Sequence, residues 1–295
     1  MGENELCITG KTRVVALIGD PVEHSRSPVM QNAAFRALGL DWVYIALPVR
    51  AEKVGEAVRG LRALGFQGAN VTMPHKAAVI PYLDEVAPTA LQIGAVNTIV
   101  RRGDKLIGEN TDGRGFVRAL REEIHLDVRG RRVFLFGAGG VARALAFELG
   151  AAGVYSLAIA NRTTSRAESL AVNVAEATGC KTLVLPWEPK AWAPLLAEAD
   201  VIVNGTSAGM LGEPDFAADL PWRELKADAA ICDAVYEPLQ TNLLRTAARY
   251  GLRTLDGLAL LLYQGVLAFE LWTGKPAPIE VMAQALRPGG KMLRP

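Results

Sequence analysis

A short apolar run followed at once by a glycine-rich loop constrains the fold of this 295-residue chain more than any other feature. Residues 133–136 read Val-Phe-Leu-Phe, and Gly137-Ala138-Gly139-Gly140-Val141-Ala142 follows and opens a helical segment. In such a loop the first glycine permits a tight turn and the second lets the backbone approach a pyrophosphate, which then lies at the helix N-terminus. The strand–turn–helix context favours a dinucleotide-binding Rossmann unit over an ordinary glycine turn.

The whole chain alternates short β-rich runs with amphipathic segments, which is typical of an α/β protein with mostly parallel sheets. A first series has predicted strands at 14–18, 42–47 and 68–72, helices at 27–39 and 51–64, and a hairpin at 97–108. A second series begins at Arg131, with strands at 133–136, 157–160, 182–185, 201–203 and 229–232. We therefore predict two domains, an N-terminal α/β substrate domain and a Rossmann-like doubly wound dinucleotide-binding domain.

The domain boundaries follow from where the pattern restarts. Asp112-Gly113 opens a new helix, and residues 258–272 form a helix with almost no polar face, which predicts burial. A last helix begins near Pro278. We expect this tail to pack back on the first domain, so that residues 1–111 plus 258–295 form the substrate domain and residues 112–257 form the Rossmann dinucleotide-binding domain.

The choice of NADP rests on the end of the second strand of the Rossmann unit. An NAD site usually carries Asp or Glu there, whereas this chain has Asn161-Arg162-Thr163 with Arg166 close behind. Guanidinium groups match a phosphate dianion, and basic residues at a helix N-terminus oppose its dipole unless an anion is bound. The alternative interpretation is a solvated basic helix start.

Composition excludes several classes of protein. Lys plus Arg is 32 and Asp plus Glu is 31, so bulk charge does not favour nucleic acid. Three scattered cysteines without a CxxC argue against a disulfide framework, and the histidines lack metal-site spacing: Cys7, Cys180, Cys232, His24, His75 and His125.

The N-terminus lacks a signal-peptide core and the apolar stretch 258–271 is too short to span a bilayer, so we expect a cytoplasmic protein without a membrane segment.

Polar clusters stand at the expected carboxyl ends of strands, where open α/β sheets bind ligands. They are Ser25-x-Ser27, Asn70-x-Thr72 with Lys76, Asn97-Thr98, and Asn110-Thr111-Asp112. Each has a structural interpretation alone: Ser27 as an N-cap, Asn97 and Asn110 as turn residues, Lys76 as a surface lysine, and Asp112 as a helix cap. Together they suit a hydroxylated ring acid. Gln264, inside an apolar helix, adds an amide whose burial costs about 1–3 kcal/mol unless it is hydrogen-bonded.

The chain resembles the shikimate dehydrogenases from Val14 to about Gly274. The resemblance rests on nine segments in the family's order: GDPVEHSRSP, NVTMPHK, GAVNT, GENTDG, GAGGVARA, NRTTSRAE, NGTSAGM, DAVYEP and DGLALLLYQG. It departs at Ala259-Leu260, where the family commonly has Gly-Met, and we expect a change of packing there.

The resemblance implies reduction of 3-dehydroshikimate by NADPH, with named roles. Ser25 and Ser27 would hold the substrate carboxylate, and Thr72, Asn97 and Gln264 would bind ring hydroxyls with Tyr236 nearby. Lys76 would transfer the proton, paired with Asp112. The cofactor would contact the following positions: Gly137, Ala138, Gly139, Gly140, Val141, Asn161, Arg162, Thr163, Arg166, and the backbone at Ala234 and Gly257.

Other functions stay open at this point. A broader quinate/shikimate dehydrogenase is the nearest alternative, although Arg162 and Arg166 argue against NAD and Ser27 stands where quinate-preferring relatives often have Thr. A regulatory module with a decayed active site is disfavoured because Lys76, Asp112 and Gln264 are all present. A related folate dehydrogenase is disfavoured because Ser25, Ser27 and Gln264 do not suit a pterin. We expect the protein to bind a small-molecule substrate and no metal ion. We expect it to be a monomer or a homodimer.

Overall fold

The computed structural model describes residues 8–287, and the chain divides into two compact units. One unit comprises Met1–Thr111 with Gln264–Pro295, and the other comprises Asp112–Tyr263. The sequence placed the second boundary at 257/258, whereas the division between the units falls inside a long helix. Residues 1–7, which include Cys7 and the segment considered as a signal, and residues 288–295 lie outside the described residues.

The first unit is built on a mixed sheet. Its strands are β1 Arg13–Gly19, β2 Trp42–Pro48, β3 Gly68–Val71, β4 Glu85–Val86, β5 Thr98–Arg102 and β6 Lys105–Glu109. Its helices before the crossover are α1 Ser27–Ala37, α2 Val54–Ala63 and α3 Pro88–Ile93, with 3₁₀ turns at Ala51–Lys53 and Ile80–Tyr82. The strand order is β2-β1-β3-β5-β6-β4, with β1 parallel to both neighbours and β5–β6 forming the predicted antiparallel hairpin.

One local prediction for this unit was wrong, and one short strand was not predicted. Ser27 was expected to cap α1, but Arg26 holds the N-cap position and Ser27 is the first helical residue. The backbone N–H of Ser27 donates to Ser25 Oγ at 3.3 Å, and its side chain hydrogen-bonds Tyr44, so its hydroxyl is directed at the sheet. The two-residue strand β4 gave no periodic signal because it is too short to alternate.

The second unit is a doubly wound α/β fold, as predicted. Its strands are β7 Arg132–Phe136, β8 Ser156–Ala160, β9 Lys181–Leu185, β10 Val201–Asn204, β11 Ala230–Asp233 and β12 Arg253–Leu255. Its helices are α4 Asp112–Ile124, α5 Gly140–Ala151, α6 Thr164–Thr178, α7 Pro189–Glu198 and α8 Asn242–Arg249, followed by the start of α9 Gly257–Thr273. All strand pairs are parallel in the order β12-β11-β10-β7-β8-β9, which puts the reversal of strand order between β7 and β10.

The apolar strands form the core of this unit because both sheet faces are covered. Val133, Phe134, Leu135 and Phe136 are all at most 2% exposed, as a central parallel strand requires. On one face a cluster of aromatic and aliphatic side chains surrounds the fully buried Trp192. Strand β12, an edge strand of only three residues, was not predicted from the sequence.

The C-terminal half of α9 packs within the first unit. Trp272 Nε1 donates to the Ile99 carbonyl at 2.9 Å, and Phe269 stacks on Phe35 with ring centroids 5.3 Å apart. A further helix, α10 Ile279–Leu286, contacts α1, and Arg26 Nη1 donates to the Leu286 carbonyl at 2.7 Å. These contacts explain why residues beyond 263 group with the N-terminal sheet.

Candidate cofactor and substrate sites

The glycine-rich loop turns sharply after β7 because its first glycine has a backbone conformation that other residues rarely adopt. Gly137 has φ +110°, and a Cβ there would lie 2.9 Å from Thr206 Cγ2 and 3.0 Å from the Gly205 carbonyl oxygen. Its N–H donates to the Ala160 carbonyl at 2.8 Å, which fixes the loop against the end of β8. The turn therefore requires glycine for conformation and for space.

The next two glycines leave open space at the start of α5. A Cβ at Gly139 or Gly140 would meet no atom within 4 Å, and both residues are exposed. Gly139 is the N-cap of α5, so the positive end of the helix dipole faces this space. An open pocket of about 310 Å³ lies here, lined by Ala138, Gly139, Gly140, Arg143, Ser165, Arg166 and Ser169.

The pocket is basic. Arg143 and Arg166 both line it, and neither α5 nor α6 has an acidic residue in its first turn. Burial lowers the pKa of Arg143. Arg143 and Ser169 were not predicted from the sequence, although each lies three residues after a predicted site position and so shares its helix face.

The residues after β8 carry polar and cationic groups without a carboxylate. Asn161 Nδ2 donates to the Thr163 carbonyl at 2.8 Å, which shapes the turn into α6. Thr163 is the N-cap of α6, yet its side chain makes no capping hydrogen bond. The Arg162 guanidinium lies over the Trp187 ring, 5.8 Å from its centroid. These groups, with the open glycine loop, fit the pyrophosphate and 2′-phosphate of NADP.

The backbone after β11 lies against the start of α9. A Cβ at Gly257 would come within 2.5 Å of Val235 backbone atoms and 2.7 Å of the Ala234 carbonyl oxygen. The Ala234 N–H donates to the Asn204 carbonyl at 2.9 Å. Ala234 and Gly257 are thus brought together by direct backbone packing, and Tyr236 follows, half-buried, in the same loop.

A buried carboxyl supports this loop. Asp233 Oδ1 accepts from Asn204 Nδ2 at 2.9 Å and from the Val235 N–H at 3.0 Å, and its Oδ2 accepts from Thr241 Oγ1 at 2.7 Å. Burial raises the pKa of Asp233 to about 6, against the opposing effect of these hydrogen bonds. This cluster was not predicted from the sequence.

In the first unit, the predicted substrate residues gather at one edge of the sheet. β1 and β3 end there and are followed by Ser25, Ser27 and Thr72, while the antiparallel β5 begins there after Asn97. β6 ends at the same edge and leads into Asn110 and Thr111. A Cβ at Gly19 would lie 2.2 Å from Thr72 Cγ2, so glycine there permits the close approach of the two segments.

A buried hydrogen-bond network connects these residues. The Tyr44 hydroxyl bonds the Ser27 side chain and donates to Asn70 Oδ1 at 2.8 Å. Asn70 Nδ2 donates to Thr98 Oγ1 and to the Asn97 carbonyl, both at 3.1 Å. Burial raises the pKa of Tyr44. The network fixes the orientation of Ser27 and of the Asn97 backbone, and the part played by Tyr44 was not predicted from the sequence.

Asn97 also orders the chain just before Asp112. Its Nδ2 donates to Thr111 Oγ1 at 2.9 Å, and its Oδ1 accepts from the Thr111 N–H at 2.8 Å. Asn97 and Thr111 are 2% and 0% exposed. The amide therefore has a structural role, in addition to any contact with a ligand, and it acts on the residue that precedes Asp112.

The segment that carries Lys76 is held by its neighbours. The Lys76 carbonyl accepts from the Val96 N–H at 2.7 Å, next to Asn97. His75 Nε2 hydrogen-bonds the Val49 carbonyl at 2.5 Å, and because a carbonyl only accepts, Nε2 carries the proton. The Lys76 side chain is half-buried.

Gln264 is 8% exposed on α9, beside a close contact with α1. A Cβ at Gly265 would lie 2.2 Å from Met30 Cε, so glycine lets the helices approach. Gln31 Nε2 donates to the Gly265 carbonyl at 2.9 Å, and the buried Gln31 Oε1 has no partner among residues 8–287. This role of Gln31 was not predicted from the sequence.

The units divide the predicted site residues as follows. Ser25, Ser27, Thr72, Lys76, Asn97 and Gln264 belong to the first unit. Asp112, Tyr236 and all the predicted cofactor positions belong to the second. Within the described residues no group of three or more His, Cys, Asp or Glu side chains is arranged to hold a metal ion. Among the helices of residues 8–287, none combines the length and the hydropathy needed to cross a bilayer.

A doubly wound parallel sheet with a basic, glycine-lined pocket, joined to a unit with clustered hydroxyl and amide groups, defines the class of two-domain dinucleotide-dependent dehydrogenases. Family models match three stretches: the shikimate dehydrogenase substrate binding domain at 17–99, shikimate / quinate 5-dehydrogenase at 119–211, and the shikimate 5′-dehydrogenase C-terminal domain at 257–287. A relative named shikimate dehydrogenase (NADP(+)) from Desulforamulus reducens is 47% identical over 279 residues, 95% of this chain and 96% of its own. The chain belongs to the shikimate dehydrogenase family.

Solved structures of relatives agree with this assignment. A shikimate dehydrogenase in complex with NADP+ is 42% identical with a TM-score of 0.88, covering 97% of this chain and 98% of its own. A quinate dehydrogenase from Corynebacterium glutamicum in complex with NAD is 35% identical with a TM-score of 0.84, covering 93% and 98%. Both match nearly end to end, so the family contains more than one substrate and cofactor preference on this fold.

Proposed function

We propose that this chain catalyses the reversible NADPH-dependent reduction of 3-dehydroshikimate to shikimate, a step of the shikimate pathway to aromatic amino acids. The observation that carries the proposal is the pocket of the second unit, which is lined by glycines and arginines. The first turn of α6, which borders this pocket, has no acidic residue. The hydroxyl and amide groups at one edge of the first unit's sheet support a polyhydroxylated acid as substrate.

The cofactor is held by the second unit. Gly137, Ala138, Gly139, Gly140 and Val141 surround the pyrophosphate, because their loop ends at the N-terminus of α5. The 2′-phosphate is bound at the start of α6 by the following residues: Asn161, Arg162, Thr163 and Arg166. The backbone at Ala234 and Gly257 borders the nicotinamide. NADPH supplies the hydride for the ketone.

The substrate is held by groups that match its chemistry. Ser25 and Ser27 hold the ring carboxylate. Thr72, Asn97 and Gln264 bind the ring hydroxyls, with Tyr236 nearby. The orientation of Ser27 by Tyr44 and of Asn97 by Thr111 lowers the entropy cost of binding.

Lys76 supplies the proton. Reduction of a ketone leaves negative charge on oxygen, which an ammonium group polarises and then protonates. In this proposal Asp112 pairs with Lys76 and places an opposite charge beside its ammonium group. Both residues touch the reacting substrate in this proposal and are its catalytic residues.

The first prediction tests these roles. Lys76→Ala is expected to lower kcat by about 10²–10⁴-fold, the usual contribution of general acid–base catalysis, while NADPH binding stays unchanged. Steady-state rates and NADPH fluorescence titration would measure the two effects. Lys105→Ala, which removes a surface ammonium paired with Glu85, is the matched control and should leave kcat intact. Retained turnover by Lys76→Ala would contradict the role of Lys76.

The function itself is tested by following NADPH formation with shikimate and NADP. Quinate with NADP and shikimate with NAD run in parallel. Activity confined to shikimate with NADP is the expected result. A second candidate is a broader quinate/shikimate dehydrogenase, which is favoured by the similarity to the Corynebacterium quinate enzyme; comparable rates with quinate or NAD would establish it. The absence of turnover with every pair would leave only a non-catalytic NADP-binding module.

The assembly and location belong to the same proposal. We expect a monomer or homodimer that acts in the cytoplasm on small molecules, without nucleic acid or a membrane. Light scattering coupled to size exclusion would measure the mass of the particle, and a tetramer or larger assembly would contradict the expectation.

A further inference from the structure

The side chain of Arg162 has a single recognised contact in the described part of the chain. Its guanidinium Cζ lies 5.8 Å from the centre of the Trp187 ring, within the range of a cation–π interaction. Between residues 8 and 287 it makes no hydrogen bond and no ion pair, and the residue is exposed. Its N–H donors are therefore available to a ligand while its plane is held by the ring.

Trp187 is itself fixed by three other rings. It meets Trp192, Phe216 and Phe136 edge to face, at centroid distances of 5.1, 5.5 and 5.7 Å. Those three side chains are 0%, 5% and 0% exposed, so they belong to the packed core. Trp192 Nε1 also donates to the carbonyl of Pro186, the residue before Trp187. The ring is a rigid platform that follows β9.

Burial alone does not account for the position of Trp187. The residue is only partly buried, and it packs against the edge of the core cluster without being enclosed by it. The ring therefore connects the core with Arg162, which follows β8 in the cofactor unit. A long arginine side chain otherwise loses rotamer entropy when it binds a ligand.

We propose that Trp187 is a positioning residue for cofactor binding: it holds Arg162 in the orientation that receives the adenosine 2′-phosphate end of NADP. The inference rests on the proposed function. It assigns a role to Trp187, which lies outside both the glycine loop and the turn at residues 161–166. Trp187 acts only through Arg162. Its effect on binding must therefore disappear when Arg162 is removed.

The test is calorimetric binding of adenosine 2′,5′-bisphosphate to the full chain. Trp187→Leu is expected to weaken binding about three- to tenfold, the range of a cation–π contact. Trp187→Phe retains an aromatic face and should bind within about twofold of the wild type. In an Arg162→Ala background, Trp187→Leu should cause no further loss. A loss of the same size with and without Arg162 would overturn the proposal, as would unchanged binding by Trp187→Leu.

A matched control lies elsewhere in the same unit. Arg132 stacks on Tyr155 at 4.9 Å, at the amino ends of β7 and β8, away from the glycine loop. Tyr155→Leu removes an equivalent contact and should not change binding of the bisphosphate. A loss equal to that of Trp187→Leu would mean that the effect is general destabilisation, and would overturn the proposal.

The Arg162→Lys variant and the turnover of shikimate provide two further tests. If Trp187→Leu does not fold, Arg162→Lys leaves the aromatic cluster intact and keeps the charge without the planar guanidinium, so it should lose about three- to tenfold in affinity; unchanged affinity would overturn the proposal. Turnover of shikimate by the wild-type chain tests the proposed function separately. A chain that is active while Trp187→Leu binds normally would overturn this inference alone.

Discussion

At the scale of single residues, the glycine loop shows that neighbouring glycines are present for different reasons. Gly137 has a positive φ and no room for a Cβ, so glycine there serves the folding of the loop. Gly140 has open space around its missing Cβ, so nothing in the protein itself requires glycine at that position. A ligand that approaches the backbone closely is the remaining physical reason.

The two glycines are expected to respond differently to alanine. Gly137→Ala should lower the free energy of unfolding by about 1–3 kcal/mol, because it combines backbone strain with a contact to Thr206. Gly140→Ala should leave thermal stability unchanged while weakening NADP binding, because its methyl group enters the ligand space. Urea unfolding and NADP titration of both variants measure the contrast. Equal stability losses in the two variants would contradict it.

At the scale of elements, two helices of the second unit begin with a threonine N-cap but use it differently. Thr241 Oγ1 accepts from the Leu244 N–H at 3.3 Å and donates to Asp233 at 2.7 Å, so it caps α8 and ties the helix to β11. Thr163 caps α6 by position only. Its hydroxyl is available at the end where the 2′-phosphate is proposed to bind.

Alanine is expected to affect stability at Thr241 and cofactor binding at Thr163. Thr241→Ala should destabilise the protein by about 1–2 kcal/mol, because it removes a helix cap and leaves a buried carboxylate with one fewer donor. Thr163→Ala should change stability by less than about 0.5 kcal/mol but raise the KM for NADP. Denaturant unfolding and kinetics of both variants decide the matter, and a Thr163→Ala variant that is as unstable as Thr241→Ala would show that the position is structural.

At the scale of the whole molecule, stability depends on pH through carboxyl groups with shifted pKa values. The pKa of Asp200 is lowered despite partial burial, because Lys226 and the Arg132 backbone N–H donate hydrogen bonds to its carboxylate. Asp200 therefore stabilises the fold above its unfolded pKa, and this stabilisation is lost as the pH falls. Asp233 acts in the opposite direction. Burial raises its pKa to about 6, so the folded state holds its proton more tightly than the unfolded state.

The contribution of Asp233 to the free energy of unfolding is expected to change with pH between its ordinary pKa of 3.8 and about pH 6. Its contribution to stability is present at low pH and is lost as the pH rises through that window, by on the order of 3 kcal/mol. The difference in unfolding free energy between wild type and Asp233→Asn isolates it from the other carboxyl groups. Urea unfolding at pH values from 4.5 to 7.5 should show this difference falling and then levelling off above pH 6 to 7. A difference that rises with pH would mean that the hydrogen bonds outweigh burial and that the pKa is lowered.

Much of the fold was predictable from local pattern. The apolar runs at 133–136 and 201–203, the glycine loop and the hairpin at 97–108 carry signals in adjacent residues, and each is present in the structure. The short strands β4 and β12 were not predicted, because two or three residues cannot show a period and only their pairing partners make them strands. The Ser27 cap was wrong because a tertiary hydrogen bond to Tyr44 competes with the local capping geometry.

The sequence by itself determined the class of fold, the position of the cofactor loop and the types of side chain that follow each strand, because these depend on spacing along the chain. Only the tertiary structure decided which residues support them: Tyr44 beneath Ser27, Asp233 beneath the loop at Ala234, Arg143 in the pocket wall and Trp187 beneath Arg162. Tyr44 lies 17 residues from Ser27 along the chain, and Trp187 lies 25 residues from Arg162. Packing of whole elements brings such pairs together, and no local pattern encodes that packing.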